Sequence, residues 1–267
     1  MGRLVHVKAI VEYDGTDFAG FQRQRHARTV QEVLEEAIAK RLGPPQHFAC
    51  AGRTDAGVHA LGQVISFDCE TRVPSERMAL ALNSVLPPDV RVKQAEEVDP
   101  SFHARYSASS RVYLYIILNR NTPSALLHRY SAFCSTPLDV EAMRKAGECL
   151  LGEHDFASFA NALLPDEPTA RELMACHIRR RGELLTIRLE ANAFLRGMVR
   201  TIVGTLIEVG RGKRSWQEMA RLLAARDRRL AGPTAPAQGL FLLHVRYGQR
   251  KSYGQQKGKD SCEEYGE

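Results

Sequence analysis

The chain has 267 residues, of which 44% are hydrophobic and 25% are charged. These values are ordinary for a globular protein, and they exclude a wholly disordered chain, a collagen-like chain and a small disulfide scaffold. Lys and Arg number 37 and Asp and Glu 31, so the net charge is +6, which allows an anionic partner without proving one.

No run in the sequence approaches the ~20 apolar residues that a membrane-spanning helix needs. Residues 1–10 alternate polar and apolar side chains, which is typical of a strand and not of a signal peptide. We therefore expect a cytoplasmic protein with no membrane partner.

Hydrophobic periodicity alternates between the strand period and the helix period along the first half of the chain. In chain order it predicts a strand over 4–13, a helix from Thr29 to Gly43, strands over 46–51 and 61–69, a helix over 75–86 and a strand over 90–98. Thr29 and Glu32 have the spacing of a capping box, and Pro87 is expected to stop the second helix.

The second half of the chain repeats this mixture of strands and helices. The predicted elements are strands over 111–119 and 129–134, a helix from Asp139 to about Leu151, strands over 172–181 and 184–192, a helix over 194–209, a short helix opened by a box of Ser215 and Glu218, and a strand over 240–247.

The two halves are similar in size and composition, which predicts an α+β fold. We expect two similar lobes of mixed, mainly antiparallel sheet, with helices on one face and a catalytic cleft between the lobes. The predicted boundaries are 1–105 for the first lobe, 106–248 for the second and 249–267 for a polar, disordered tail.

The densest chemical motif is the segment 51–60, AGRTDAGVHA, which lies between two predicted strands. Its glycines allow a tight turn and close backbone approach. Between them a single carboxylate, Asp55, is flanked by Arg53 and His59, an arrangement that can present a catalytic acid. An aspartate that merely caps a turn accounts for the pattern equally well.

Seven segments together resemble the TruA family of tRNA pseudouridine synthases. GRTDAGVHA at 52–60 is similar to the signature of that family. The other matching segments, in order, are YDGT at 13–16, LNSVLP at 82–87, FHAR at 102–105, RVYLY at 111–115, FLRGMVR at 194–200 and AGPTAP at 231–236.

The resemblance implies an isomerase that converts uridine to pseudouridine at positions 38, 39 and 40, in the anticodon stem-loop of tRNA. It implies no cofactor and no metal, because the uracil stays in the site and is reattached to the ribose through carbon. Asp55 falls at the position of the essential nucleophile, and whether it attacks the base or the sugar stays open. Family members are homodimers, so a homodimer is expected.

Tyr113 matches the position where the family places a tyrosine against the target uridine. Its ring is expected to stack on the base and its hydroxyl to take part in proton transfer. Tyr113 and Tyr115 share one face of their strand, with Val112, Leu114 and Ile116 on the other. An ordinary core aromatic is the alternative interpretation.

Arg200 lies beside the apolar stripe of its helix, where an unpaired cation would be costly. The matched family position pairs with the catalytic aspartate, so Asp55 is its expected partner. A solvated helix face is the alternative, and it suits Arg196 better than Arg200.

Further residues are expected to contact RNA because they combine basic and aromatic groups. The expected substrate-binding residues besides Tyr113 are Arg53, His59, Phe102, His103, Arg105, Arg23, Arg25 and Arg28. Any one of these cations is more often a plain solvated charge.

Two other functions remain open from the sequence. A tRNA-binding protein or chaperone on the same scaffold would lack the chemistry, although such a protein has no need to keep Asp55, Tyr113 and Arg200. A metal-dependent hydrolase is disfavoured because the sequence lacks a second nearby carboxylate and a metal-binding histidine spacing.

Overall fold

The computed structural model describes residues 2–163 and 166–248, and the predicted tail at 249–267 lies outside this part of the chain. The elements of the first half are β1 (Arg3–Tyr13), α1 (Val30–Arg41), β2 (Gln46–Cys50), β3 (His59–Thr71), α2 (Ser75–Asn83) and β4 (Val90–Glu97). Those of the second half are β5 (Ala108–Asn119), β6 (Ala132–Cys134), α3 (Val140–Glu148), β7 (Gly152–Asp155), β8 (Ala170–Arg181), β9 (Leu184–Ala191), α4 (Met198–Gly210), α5 (Glu218–Ala225) and β10 (Leu240–Tyr247).

The ten strands form one sheet, in the order β4-β1-β3-β10-β5-β9-β8-β7, with β2 paired to β3 and β6 paired to β5. Most neighbouring strands are antiparallel, and the parallel pairs are β10 with β3 and β6 with β5. β10 therefore joins the strands of the first half to those of the second, because it pairs with β3 on one side and β5 on the other.

The helices cover one face of this sheet. In β1 every second residue from Val5 to Tyr13 is buried, and these residues share a continuous core with buried residues of all five helices. A much smaller cluster, built on Ala51, Val64 and Ala104, lies apart from that core. The predicted α+β class, with a mixed and mainly antiparallel sheet, is confirmed. In the described ranges no helix has both the length and the apolar character to cross a membrane.

The predicted capping box at Thr29 is wrong. The Thr29 hydroxyl is buried and has no hydrogen-bond partner among the described residues. The first amides of α1 are taken by an earlier part of the chain instead, because the Val30 N–H donates to the Gly20 carbonyl and the Gln31 N–H to the Phe21 carbonyl. Tertiary acceptors have thus replaced the local cap.

Three predicted bounds also need correction. The helix expected to run to Leu151 ends at Glu148 and is followed by β7. This polar strand of four residues lies at the edge of the sheet beside β8, so its sequence does not alternate buried and exposed residues. The helix expected from 194 begins at Met198, because Gly197 has φ +72° and cannot be helical. The strand expected over 129–134 is limited to Ala132–Cys134.

The caps of two other helices differ in completeness. Asp139, where the helix is predicted to begin, accepts hydrogen bonds from the Glu141 and Ala142 N–H groups and so caps α3. In the box before α5, the Glu218 carboxylate accepts from the Ser215 N–H at 3.0 Å, but the Ser215 hydroxyl contacts Gln217 and not the Glu218 amide. Only the Glu218 half of that box has therefore formed.

Candidate active site

Hydrogen bonds from neighbouring segments hold the glycine-flanked loop between β2 and β3 in place. The Thr54 hydroxyl is 2.8 Å from Tyr13 Oη, and the Thr54 carbonyl accepts from the Phe21 N–H at 3.0 Å. Two residues earlier, the Gly52 carbonyl accepts from Gln63 Nε2 at 2.6 Å. Because the residues immediately before it are fixed, Asp55 is presented in a defined position.

An N-terminal segment lies directly against this loop, and glycines make the approach possible. A Cβ on Gly15 would overlap the carbonyl of Val58. Gly20 has φ +104°, and a Cβ there would lie 3.0 Å from the Thr54 carbonyl oxygen. A larger residue at either position would push the loop away.

Asp55 and Arg200 form an ion pair between the two halves of the chain. Arg200 Nη1 lies 3.1 Å from Asp55 Oδ2, and Arg200 Nε donates to the Ala235 carbonyl at 2.7 Å. The Asp55 side chain is 33% exposed and that of Arg200 is 19% exposed. Asp55 Oδ1 has no hydrogen-bond partner within 2–163 and 166–248. One carboxylate oxygen is thus oriented by a guanidinium while the other is left for a reaction partner.

Tyr113 lies beside this loop with a buried ring. Its phenol is 7% exposed and packs edge-on against Phe194, with the ring centroids 5.1 Å apart. A Cβ on Gly52 would be 3.6 Å from Tyr113 Oη, so the hydroxyl faces the loop that carries Asp55. Burial raises the pKa of Tyr113, and the nearby Asp55 charge raises it further, so the hydroxyl stays protonated at neutral pH.

Tyr115 shares the strand face of Tyr113 but belongs to the core. Its side chain is fully buried, and its hydroxyl donates to the Pro236 carbonyl at 2.8 Å. Sharing a strand face with Tyr113 therefore does not leave the Tyr115 hydroxyl free for another partner.

Asn161 connects α4, which carries Arg200, to the loop before β10, and it was not identified from the sequence. Asn161 Oδ1 accepts from the Thr201 hydroxyl at 3.1 Å and from the Thr234 hydroxyl at 3.0 Å. Next to Thr234, the Ala235 N–H donates to the Arg200 carbonyl at 3.0 Å. The side chain of one asparagine thus ties α4 to the loop that orients the Arg200 guanidinium.

Arg111 is a second residue that the sequence reasoning did not single out as functional. Its guanidinium is buried and donates to carbonyls of three separate segments, at Ala51, Arg105 and Asn192. Burial lowers its pKa. Arg111 therefore fastens the start of the Asp55 loop to both the segment before β5 and the segment after β9.

His59 is buried and packs within the fold. Its side chain is 2% exposed and stacks on Phe241, with the ring centroids 4.7 Å apart. Burial lowers its pKa, so the imidazole is neutral. Nδ1 then accepts from the Gly15 N–H and Nε2–H donates to the Arg129 carbonyl, which leaves no free ring nitrogen. The structure thus gives His59 a packing contact, and its expected contact with RNA stays a prediction.

The segment 102–105 is divided between packing and exposure. Phe102 packs against Tyr247, with the ring centroids 5.0 Å apart, and it lies beneath the Lys8 ammonium. His103 is half-buried, whereas Arg105 and, in the Asp55 loop, Arg53 are exposed. Of these residues, the two arginines are the exposed ones, and the expected contacts of the whole set with RNA stay predictions.

The three arginines of the N-terminal loop differ in their freedom. Arg28 forms a two-pronged ion pair with Asp89, at 2.7 and 3.0 Å, and its guanidinium lies 4.0 Å above the Phe18 ring. Arg23 pairs with Glu35 at 3.0 Å. Arg25 is exposed and forms no ion pair within the described ranges. Arg25 is therefore the least engaged of the three within the described residues, and Arg28 is the most engaged, while their expected contacts with RNA stay predictions.

We expect RNA binding to weaken steeply with salt, because cations that contact phosphates release counterions. Arg25→Ala should lower the slope of log K against log salt by about one, and Arg28→Ala should leave the slope unchanged while lowering thermal stability. Affinity titrations from low to high salt, paired with melting curves, check both. Equal slopes for wild type and Arg25→Ala would remove this loop from the RNA interface.

Comparisons with known proteins cover the two residues of the central ion pair. A family model described as tRNA pseudouridine synthase matches residues 9–107 and 146–248. A protein of Thermoanaerobacter sp. (strain X514) named tRNA pseudouridine synthase A is 46% identical over 242 residues, which are 91% of this chain and 99% of its own. One from Methylococcus capsulatus with the same name is 46% identical over 237 residues, 89% of this chain and 88% of its own. The matched ranges contain both Asp55 and Arg200.

Proposed function

We propose that this chain, which belongs to the tRNA pseudouridine synthase family, modifies uridines 38, 39 and 40 in the anticodon stem-loop of tRNA. The chain is an isomerase that converts uridine in tRNA to pseudouridine. In that reaction the bond between ribose C1′ and uracil N1 breaks, a bond between C1′ and C5 forms, and the C5 proton is lost while N1 regains one. Atoms and electrons balance without a cofactor.

The observation that carries this proposal is the Asp55 carboxylate, held through Oδ2 by Arg200 with Oδ1 left unpaired. A carboxylate of this kind suits a nucleophile that forms a transient covalent bond with the base or the sugar. The guanidinium keeps the carboxylate oriented, which lowers the entropic cost of attack. A scaffold that only binds RNA has no use for this ion pair, which disfavours the inactive alternative.

Tyr113 is proposed to stack on the target uracil and to assist proton transfer. Its raised pKa makes the neutral phenol the resting form, so it begins as a hydrogen-bond donor. The hydroxyl has no hydrogen-bond partner in the ranges 2–163 and 166–248, which leaves it available to the substrate.

The two lobes, 1–105 and 106–248, are proposed to enclose the target nucleotide between them. Support comes from the origin of the paired residues, because Asp55 belongs to the first range and Arg200 to the second. A target inside a stem must be flipped out of the helix, which calls for a cleft. We further propose a cytoplasmic homodimer, across whose subunits one tRNA lies. Arg53, Arg105 and Arg25 are the proposed backbone contacts.

Mapping of pseudouridine in unmodified tRNA tests the proposed function. The purified protein is incubated with the tRNA without added metal or nucleotide, and modified positions are read by chemical mapping. Pseudouridine at 38, 39 and 40 supports the proposal. Modification elsewhere in the tRNA would contradict the assigned positions, and no modification would contradict the activity.

Tyr113→Phe is expected to bind tRNA with near wild-type affinity and to slow a step after attack, because the ring survives and only the hydroxyl is lost. Tyr113→Ala is expected to weaken both binding and turnover. Single-turnover rates and equilibrium affinities measured on the same preparations separate the two effects. If Tyr113→Phe turns over as fast as wild type, the tyrosine acts by stacking alone.

A further inference from the structure

The turn 103–107 has a shape that does not depend on a ligand. The His103 carbonyl accepts from the Ser107 N–H at 2.9 Å, and the His103 N–H donates to the Ser107 hydroxyl at 3.0 Å. His103 Nδ1 also accepts from the backbone N–H groups of Arg105 and Tyr106, at 3.1 and 3.3 Å. These four hydrogen bonds fix the backbone of a short, exposed turn.

This turn holds Tyr106 in solvent. The Tyr106 side chain is 76% exposed although its ring is apolar. The ring lies 4.4 Å from the His103 imidazole and 5.5 Å from the Arg105 guanidinium, measured to the ring centroid in each case. An exposed aromatic ring beside a cation is the combination that binds an unpaired nucleobase by stacking and its phosphate by charge.

Arg111 places the turn beside the candidate active site. Nη2 of Arg111 donates both to the Arg105 carbonyl at 2.5 Å and to the Ala51 carbonyl at 3.1 Å. The turn and the start of the Asp55 loop therefore meet at one nitrogen atom. Arg111 and Tyr113 are two residues apart on β5 and so share a strand face, which brings the turn close to the proposed uridine site.

Two exposed arginines belong to the turn 103–107 and the Asp55 loop, which meet at Arg111. Arg53 and Arg105 are exposed, and neither forms an ion pair with a carboxylate in the part of the chain that the structure describes. Burial raises the pKa of the Cys50 thiol, and the nearby charges of Arg53 and Arg105 both oppose that rise. Two unpaired cations around one site attract a phosphate backbone.

We propose that the turn 103–107 binds an unpaired nucleotide of the anticodon loop, with the Tyr106 ring stacked on its base and Arg105 on its phosphate. The proposal rests on the proposed function and extends it to a second nucleotide beside the target uridine. This contact selects RNA in which a stem is followed by a loop, since a base-paired nucleotide keeps its faces stacked within the helix.

The test uses binding of an anticodon stem-loop RNA, measured by fluorescence anisotropy, with Tyr106→Leu and Tyr106→Phe. Tyr106→Leu should weaken binding about tenfold or more, because stacking on the ring is lost. Tyr106→Phe should bind as wild type does. Phe133→Leu is the matched control. It removes an exposed aromatic ring elsewhere in the protein, on β6, and should bind RNA as wild type does.

Abasic RNAs identify the nucleotide. Each loop position is replaced in turn by an abasic residue. For one such RNA, wild-type protein should bind more weakly than it binds the intact RNA, by the same factor as Tyr106→Leu loses on the intact RNA. Tyr106→Leu should bind that abasic RNA and the intact RNA equally well. Equal binding by Tyr106→Leu and wild type would overturn the proposal. So would a uniform loss across all abasic RNAs, or a change in sedimentation of the RNA-free variant, which would assign the ring to contacts between protein copies.

Pseudouridine formation by the wild-type protein on the intact RNA is measured in parallel. Absence of that product contradicts the proposed function whatever the binding results are. Product formation by wild type together with unchanged binding by Tyr106→Leu contradicts the stacking proposal alone. Melting curves of all variants confirm folding, which an exposed side chain should affect little.

Discussion

Asp55→Asn is expected to reduce turnover by on the order of 10⁴-fold or more, because the amide keeps the size of the carboxylate but is not a nucleophile. Binding of tRNA should change little, since Asp55 contributes one partly exposed side chain to a surface of many contacts. The measurement is single-turnover pseudouridine formation with saturating enzyme. Asp55→Ala should behave in the same way.

Asp227→Asn is the matched control for this loss. Asp227 is also paired with an arginine, Arg229 at 2.7 Å, but neither residue contacts the Asp55 loop. Its amide variant should retain wild-type turnover. Substantial activity in purified Asp55→Asn, verified by mass spectrometry to be free of deamidated protein, would remove Asp55 from the role of nucleophile.

Arg200→Lys is expected to lose much of the rate although it keeps the charge. A lysine has a single ammonium, so it cannot both bind the Ala235 carbonyl and hold Asp55 Oδ2 in the present geometry. Arg200→Ala should lose more, and it should also lower stability by about 1–3 kcal/mol because the Ala235 carbonyl is left unpaired. Turnover, tRNA affinity and thermal unfolding are measured on the same preparations.

Arg214→Lys controls for the general effect of replacing a half-buried paired arginine. Arg214 has the same 19% exposure as Arg200 and pairs with Glu208 and Glu218, away from the site. It should turn over normally. Collapsed turnover in Arg200→Lys with normal folding and binding supports the orienting role, whereas wild-type turnover would show that a fixed guanidinium is not required.

The sequence predicts the residues of the candidate site better than it predicts their supports. Asp55, Tyr113 and Arg200 match family motifs, and the structure brings all three to one place. Asn161 and Arg111 act through partners far away in the sequence, so their contacts cannot be predicted from neighbouring residues, although Arg111 begins the matching segment at 111–115. Periodicity identifies an element but not which distant carbonyl its side chains will reach.

The same limit applies to His59 and Arg28, whose contacts in the structure the sequence does not show. His59 reads as a polar group in the motif, but its burial depends on Phe241 and on the Arg129 carbonyl. The sequence around Arg28 does not show its partner, because Asp89, which pairs with it in the structure, comes 61 residues later. In both cases a long-range contact decides between a substrate contact and a structural one, and such contacts leave no signal at the residue itself.

The position of β10 has a consequence for the order of events during synthesis. β10 is the last described element to leave the ribosome, yet it lies between β3 and β5 in the middle of the sheet. Strands from each half can pair among themselves earlier, but their hydrogen-bonded connection waits for Leu240–Tyr247. Pairing over such a long sequence separation is slow. In the nascent protein the Asp55 loop and α4, which carries Arg200, therefore belong to halves whose sheets are not yet joined, and catalytic competence arises as one of the final steps of folding.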